Sequence, residues 1–167
     1  MEISRKLTIS LLLLLSVAAT ASAQTTSPAL LHIADRYWMQ PDVVYGSANN
    51  TPLKLDIWYP RDNQNPTPTL VYIHGGGWIF GSKEGAVYQL LPYLERGWRV
   101  VNVEYRMASN SLAPGAVEDT RCALRWIYRN AAQSKFDTTK ILLTGHSAGG
   151  HLSLITGMLP DGTALDS

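Results

Sequence analysis

Cysteine is almost missing from this sequence: Cys122 is the only one. A single thiol forms no internal disulfide and completes no cysteine-based zinc site. Placed on the apolar side of a helical stretch, it reads as core. An excess of either charge is missing too. Of fourteen basic and thirteen acidic residues, Arg5, Lys6 and Glu2 fall in an N-terminal leader, which leaves twelve of each. Nothing therefore selects nucleic acid, an anionic lipid surface or a strongly charged substrate as partner. There are no internal repeats, low-complexity tracts or long runs of like charge. Histidine is scarce as well: there are four, and none follows His151.

What is present begins with the leader. Arg5 and Lys6 precede an apolar run from Leu7 to Ala19, and Ala21-Ser22-Ala23 supplies small residues for cleavage. This is the pattern of a signal peptide over residues 1–23. The run is shorter than the roughly 20 apolar residues of a membrane-spanning helix. No cysteine at the cleavage site offers a lipid anchor. The expectation is an exported protein, periplasmic or extracellular, with no stable membrane anchor after cleavage.

Residues 24–42 are of mixed character and read as a surface arm with one helical turn. From residue 43 the pattern changes. Val43 to Tyr45 and Leu53 to Tyr59 are strand-like, and Gly46 to Asn50 between them has hairpin-turn chemistry. The second strand alternates, with Leu53, Leu55, Ile57 and Tyr59 on one face and Lys54, Asp56 and Trp58 on the other. Leu70 to Ile73, Val100 to Val103 and Ile141 to Thr144 are short apolar runs suited to strands buried between helix layers. Helices are predicted from Glu84 to Glu95 and from Gly115 to Ala132. In the longer one Glu118, Asp119, Arg121 and Arg125 are expected to face out. Strand and helix alternating in this way predict an α/β fold with a mixed, mostly parallel sheet and flanking helices.

Two glycine motifs carry chemistry. Gly145-His146-Ser147-Ala148-Gly149 fits G-x-S-x-G and lies between a strand and a helical stretch, Gly150 to Met158. Such a turn holds a serine in a strained conformation with its hydroxyl exposed. Side chains at Gly145 or Gly149 would collide with the neighbouring strand or helix. A plain glycine turn with a capping serine is the alternative. His74-Gly75-Gly76-Gly77-Trp78 also follows a buried strand, and its glycines let backbone N–H groups face a cavity, as oxyanion donors do. A phosphate loop is the alternative, since Gly76 and Gly81 have the spacing, but Ser82-Lys83 inverts the required order.

Together, His74 to Gly77 and Gly145 to Gly150 resemble the hormone-sensitive-lipase-like branch of the α/β-hydrolases. The Gly-His-Ser-Ala-Gly-Gly form followed by His151-Leu152 is similar to secreted bacterial carboxylesterases and feruloyl-esterase-like proteins. The resemblance spans about Val43 to Met158, making residues 43–167 a partial α/β-hydrolase domain. It implies a serine hydrolase that cleaves carboxylic esters through an acyl-enzyme at Ser147. It further implies an oxyanion hole from the N–H groups of Gly76, Gly77 and Ala148, loop support from His74 and Gly75, and elbow glycines at Gly145 and Gly149. The partner would be a small-molecule ester, with neither metal nor cofactor. His74 is expected to brace the loop, His146 to be structural, and His151 to lie near the site without being the base. A zinc site from His74, His146 and His151 has no known ligand spacing. Trp78 and Phe80 suggest an apolar or aromatic acyl pocket, and core packing explains them equally well.

In this fold the triad runs Ser, then Asp or Glu, then His. Asp161 and Asp166 follow Ser147, but no histidine follows either. A nucleophile and an oxyanion hole stand without an identifiable base. A chain ending at Ser167 would also leave Ile141 to Thr144 as an unpaired apolar edge. The expectation is the N-terminal portion of a protein about twice as long, the fold being cut after the nucleophile elbow. A non-catalytic truncated homologue that binds an acyl or ester ligand, and a peptidase or amidase on the same fold, remain open alternatives.

Overall fold

The computed structural model describes residues 27–62 and 64–166; the expected signal peptide, 1–23, lies outside them. Helix α1 (Pro28–Arg36) leads directly into β1 (Tyr37–Ala48). The stretch expected to be a surface arm is thus a nine-residue helix and half a strand. Ile33 and Tyr37 anchor it, each under 5% exposed, an apolar pair too sparse to stand out as a periodic pattern. β1 turns at Asn49 and Asn50 into β2 (Thr51–Pro60). Both asparagines have positive φ, 51° and 58°, the conformation of a two-residue hairpin turn whose twist matches its strands.

β3 (Thr67–Ile73) is followed by the glycine loop, a single 3₁₀ turn (Glu84–Ala86) and α2 (Val87–Glu95). Then come β4 (Arg99–Val103), α3 (Ala113–Arg129), the short α4 (Ala131–Ser134), β5 (Phe136–Gly145) and α5 (Ala148–Met158). Pro114 sits in the first turn of α3, where its missing N–H costs nothing. The sheet order is β1-β2-β4-β3-β5. β1 and β2 pair antiparallel, as do β2 and β4, while β3 pairs parallel with both β4 and β5. The expected mixed sheet is what forms.

Alternation along the central strands explains the layers. Leu70, Tyr72 and Val100 point to one face, where Ile33, Leu90 and Leu94 of α1 and α2 cover them. Val71, Ile73, Val101 and Val103 point to the other, against Ala123 and Ile127 of α3 and Leu152 of α5. Apolar burial on both faces is what forces these runs into the middle of the sheet. β5 is different. It occupies an edge among the described residues, and Leu142 is 38% exposed, so this run is less buried than its composition predicts.

Two residues expected to face out from α3 do not. Asp119 is 1% exposed and Arg121 is 4% exposed. Asp119 accepts from the Arg106 backbone N–H at 2.8 Å and pairs with the Arg106 guanidinium at 2.7 Å. Arg121 pairs with Asp166 at 2.6 Å and donates to the carbonyls of Leu159 and Pro160. Buried charges persist where partners satisfy them, and these partners are remote in sequence. Cys122 is partly buried against the α3 face of the core. No helix among the described residues is long and apolar enough to cross a membrane.

Candidate active site

Only His146 and Ser147 connect β5 to α5. Ser147 has φ 54° and ψ −117°, a conformation that costs a residue bearing a side chain about 1–3 kcal/mol. The geometry is imposed from below. A methyl group on Gly145 would lie 2.2 Å from the Ile73 carbonyl oxygen, and one on Gly149 would lie 2.0 Å from the same atom. Strand and helix thus press on the end of β3 so closely that the turn has no wider route. Ser147 is solvent-exposed, and its carbonyl accepts the His151 N–H at 3.1 Å, which puts it at the N-terminus of α5.

The glycine loop leaves β3 at His74. Gly76 has φ 127°, and its carbonyl accepts the N–H groups of Ile79 and Phe80, each at 3.1 Å. A methyl group there would fall 1.6 Å from the Phe80 carbonyl oxygen, so the tight turn excludes any side chain. A methyl group on Gly75 would lie 2.6 Å from the His146 carbonyl oxygen. Two motifs seventy residues apart are therefore in contact. Gly75, Gly76, Gly77, Phe80, His146 and Ser147 line one cavity of about 340 Å³. Among the described residues, the N–H groups of Gly76, Gly77 and Ala148 have no protein acceptor. Open backbone donors beside an exposed hydroxyl are what stabilisation of a tetrahedral oxyanion requires.

A second cavity of about 660 Å³ adjoins the first at Gly77. Trp78, Leu112, Leu152 and Leu165 give it an apolar lining, and His151 forms part of its wall. His151 meets Trp78 edge to face, with ring centroids 5.3 Å apart. The two aromatic residues of the loop part company: Trp78 lines this cavity and Phe80 the smaller one. His74 is buried. Its Nδ1 lies 2.8 Å from the Gly75 carbonyl and its Nε2 lies 3.2 Å from Glu104 Oε1. Tyr105 stacks on its ring at 4.5 Å. Burial raises the Tyr105 phenol to about 12, so it stays protonated and donates to the His74 carbonyl at 3.1 Å. His146 and His151 are exposed, and His32 lies on α1. Among the described residues no three of His, Cys, Asp and Glu are grouped as metal ligands.

Glu104 escaped the sequence reading, and Lys83 entered it only as a lysine misplaced for a phosphate loop. Lys83 is 5% exposed, with its ammonium 2.8 Å from Asp56, 3.1 Å from Asp42 and 2.6 Å from Glu84. Burial opposes its charge, but these three carboxylates outweigh burial and raise its pKa. The hydrogen bond from Lys83 in turn draws Glu84 down to about 2. The only signal in the sequence was an acidic residue, Asp56, set between Leu55 and Ile57 in a strand.

The family model of BD-FAE matches residues 55–167. The chain belongs to the BD-FAE family. Among individual relatives, 151 residues are 34% identical to "Probable carboxylic ester hydrolase LipM" of Mycobacterium tuberculosis, covering 86% of this chain and 34% of that protein. Esterase LipC of the same organism is 33% identical over 125 residues, covering 74% and 30%. Est2, a thermophilic esterase from the planctomycete Thermogutta terrifontis, superposes with a TM-score of 0.69 at 35% identity. That match covers 75% of this chain and 46% of Est2. The BD-FAE chain thus has the α/β-hydrolase fold and spans about a third of the length of the curated relatives it matches.

Proposed function

We propose that this BD-FAE chain carries the nucleophile and oxyanion hole of an exported serine esterase. The observation that carries the reading is Ser147: strained, exposed, and sharing one cavity with the open donors of the glycine loop. Its hydroxyl oxygen attacks the carbonyl carbon of an ester, and the displaced electron pair moves to the carbonyl oxygen. The N–H groups of Gly76, Gly77 and Ala148 receive that oxyanion, with the N-terminus of α5 adding partial positive charge. Collapse expels the alcohol and leaves an acyl-serine, which water then hydrolyses.

The Ser147 hydroxyl proton passes to a histidine oriented by a carboxylate, which returns it to the departing alcohol oxygen as the intermediate collapses, and none of this chain's four histidines is given that part. His74 is buried with both ring nitrogens engaged, His32 lies on a remote helix, and His146 and His151 precede every acid that follows the serine. The substrate class is a small carboxylic ester with an apolar or aromatic group, to suit the cavity walled by Trp78 and Leu112. The leader over residues 1–23 directs export to the periplasm or beyond, with cleavage before Gln24.

Several of the Thermogutta terrifontis esterase 2 structures are phosphorylated or phosphonylated, one of them by sarin. The matching test treats the protein, as its source produces it, with an activated phosphonate ester. Peptide mass spectrometry is expected to find the adduct on Ser147, and Ser147→Ala is expected to lose both adduct and ester hydrolysis. Full hydrolysis by Ser147→Ala overturns the reading. The intact mass of the same protein reports its N-terminus and so tests the leader.

A further inference from the structure

The glycine loop runs from His74 to Lys83, and a single carboxylate touches both of its ends. Glu104 Oε1 lies 3.2 Å from Nε2 of His74, while Oε2 accepts the Lys83 backbone N–H at 2.8 Å. The carboxylate stands on fixed backbone. The Glu104 N–H donates to the Lys54 carbonyl at 3.0 Å, and its own carbonyl accepts the Tyr45 hydroxyl at 2.7 Å. Asn102 within β4 and Tyr105 on its exit grip the same two residues. Fully buried Asn102 donates to the Lys83 carbonyl at 2.6 Å, and Tyr105 holds the His74 ring and carbonyl.

We infer that Glu104 is a positioning residue, a clamp that sets the separation of the loop's ends and so aims the donors of Gly76 and Gly77 at Ser147. The inference rests on the reading of Ser147 as nucleophile. The physical need is plain. Four of the ten residues from His74 to Lys83 are glycine, and glycine loses more backbone freedom on ordering than any other residue. The donors themselves have no protein partner to fix them. The Gly76 carbonyl ties the turn to Ile79 and Phe80, and the Trp78 carbonyl accepts the Ala108 N–H at 2.7 Å, so the loop turns as a unit whose placement against Ser147 is set where its two ends are held. Hydrogen bonds to an ionised carboxylate are the strong kind, and a misplacement of about 1 Å in such a site costs roughly 10²-fold in rate. Lys83 is also held by Asp42, Asp56 and Glu84 through its ammonium. The lower end of the loop therefore stays attached when Glu104 is altered, and the fold is expected to survive.

The test is Glu104→Ala in the full-length protein, assayed on p-nitrophenyl esters. Alanine offers no acceptor to either end of the loop, whereas the amide of glutamine can still accept from the Lys83 N–H and donate to Nε2 of His74. The expected result is a kcat lowered about 10- to 100-fold with KM within about twofold, since only the transition state uses the aimed donors. Glu104→Gln, which can bridge both ends, is expected to recover much of kcat, and Glu104→Asp, on a shorter arm, only part. Hydrogen exchange at residues 75–82 is expected to quicken in Glu104→Ala. A folded Glu104→Ala with unaltered kcat overturns the clamp alone, whereas an unaltered protein inert towards esters overturns the nucleophile reading and the clamp with it. Should Glu104→Ala fail to fold, Glu104→Asp carries the test: it is expected to lower kcat about threefold or more at constant KM, and an unchanged kcat there also overturns the clamp.

Discussion

Gly149 packs against the carbonyl of Ile73 so closely that an added methyl group would sit 2.0 Å from its oxygen and 2.6 Å from that of His74. Two effects of opposite sign meet at this position. Gly149 lies in α5, where alanine is a better helix former by about 1 kcal/mol. The clash is with backbone, which yields only by moving strand or helix, and overpacking of that kind costs about 1–3 kcal/mol. The clash wins. Gly149→Ala is expected to lose about 2 kcal/mol in urea unfolding. Gly157, on the same helix, meets only a Leu143 methyl at 3.5 Å, so Gly157→Ala is expected to be neutral or to gain up to about 1 kcal/mol. Equal effects at the two sites would refute the packing argument.

Asp119 holds the start of the segment that follows β4. Its carboxylate takes both the backbone N–H and the guanidinium of Arg106, which is itself 7% exposed on its side chain. Glu118 and the Gly115 carbonyl supply the rest of the Arg106 shell. Removing one partner of a buried pair strands the other charge, at about 3–5 kcal/mol. Asp119→Ala is therefore expected to cost about that much. Glu118→Ala, taking the more exposed partner, is expected to cost under about 1 kcal/mol. Chemical denaturation of both variants checks the ranking.

These polar contacts mark where sequence reasoning stopped. The central strands were legible because Leu70 to Ile73 and Val100 to Val103 are apolar on both faces, which only the middle of a covered sheet accepts. The turn at Ser147 was legible because glycines flank it at fixed spacing between a strand and a helix. Asp119 and Arg121 were assigned to the solvent because charge on a helix usually faces out. Their partners, Arg106 and Asp166, lie 13 and 45 residues away, and no local pattern announces such a pairing. The clamp at Glu104 was hidden for the same reason: it joins residues 30 and 21 positions distant. Strand order was beyond the sequence as well, since periodicity identifies a buried strand but not its neighbour.

Acid stability follows from two depressed carboxylates. Glu84 falls from 4.5 to about 2 through its hydrogen bond with Lys83, and Asp166 falls from 3.8 to about 2 through its hydrogen bond with Arg121. A carboxyl whose folded pKa is lowered binds its proton more readily when unfolded. The stability it lends is complete above the unfolded value and is lost as pH falls through the folded one. The melting temperature is thus expected to lose these contributions progressively between about pH 4.5 and pH 2. Asp166→Asn is expected to be less stable than the parent at pH 7 and to show a shallower fall across that window. A parallel pair of curves would refute the assignment.

Strain at Ser147 separates stability from activity. With φ 54° and ψ −117° the residue stands where glycine alone is comfortable, at a cost of about 1–3 kcal/mol. Glycine relieves that strain but gives back about 0.5–1 kcal/mol through the greater freedom of the unfolded chain. Alanine relieves none of it, because its Cβ meets the same backbone. Ser147→Gly is therefore expected to be about 1 kcal/mol more stable than Ser147→Ala, with both variants inert towards esters. Thermal or urea unfolding of the pair isolates the backbone term, since neither retains the hydroxyl. If Ser147→Gly is no more stable than Ser147→Ala, the strain at the turn does not exceed the roughly 0.5–1 kcal/mol that glycine forfeits. The exposed hydroxyl would then owe its position mainly to the packing of Gly145 and Gly149.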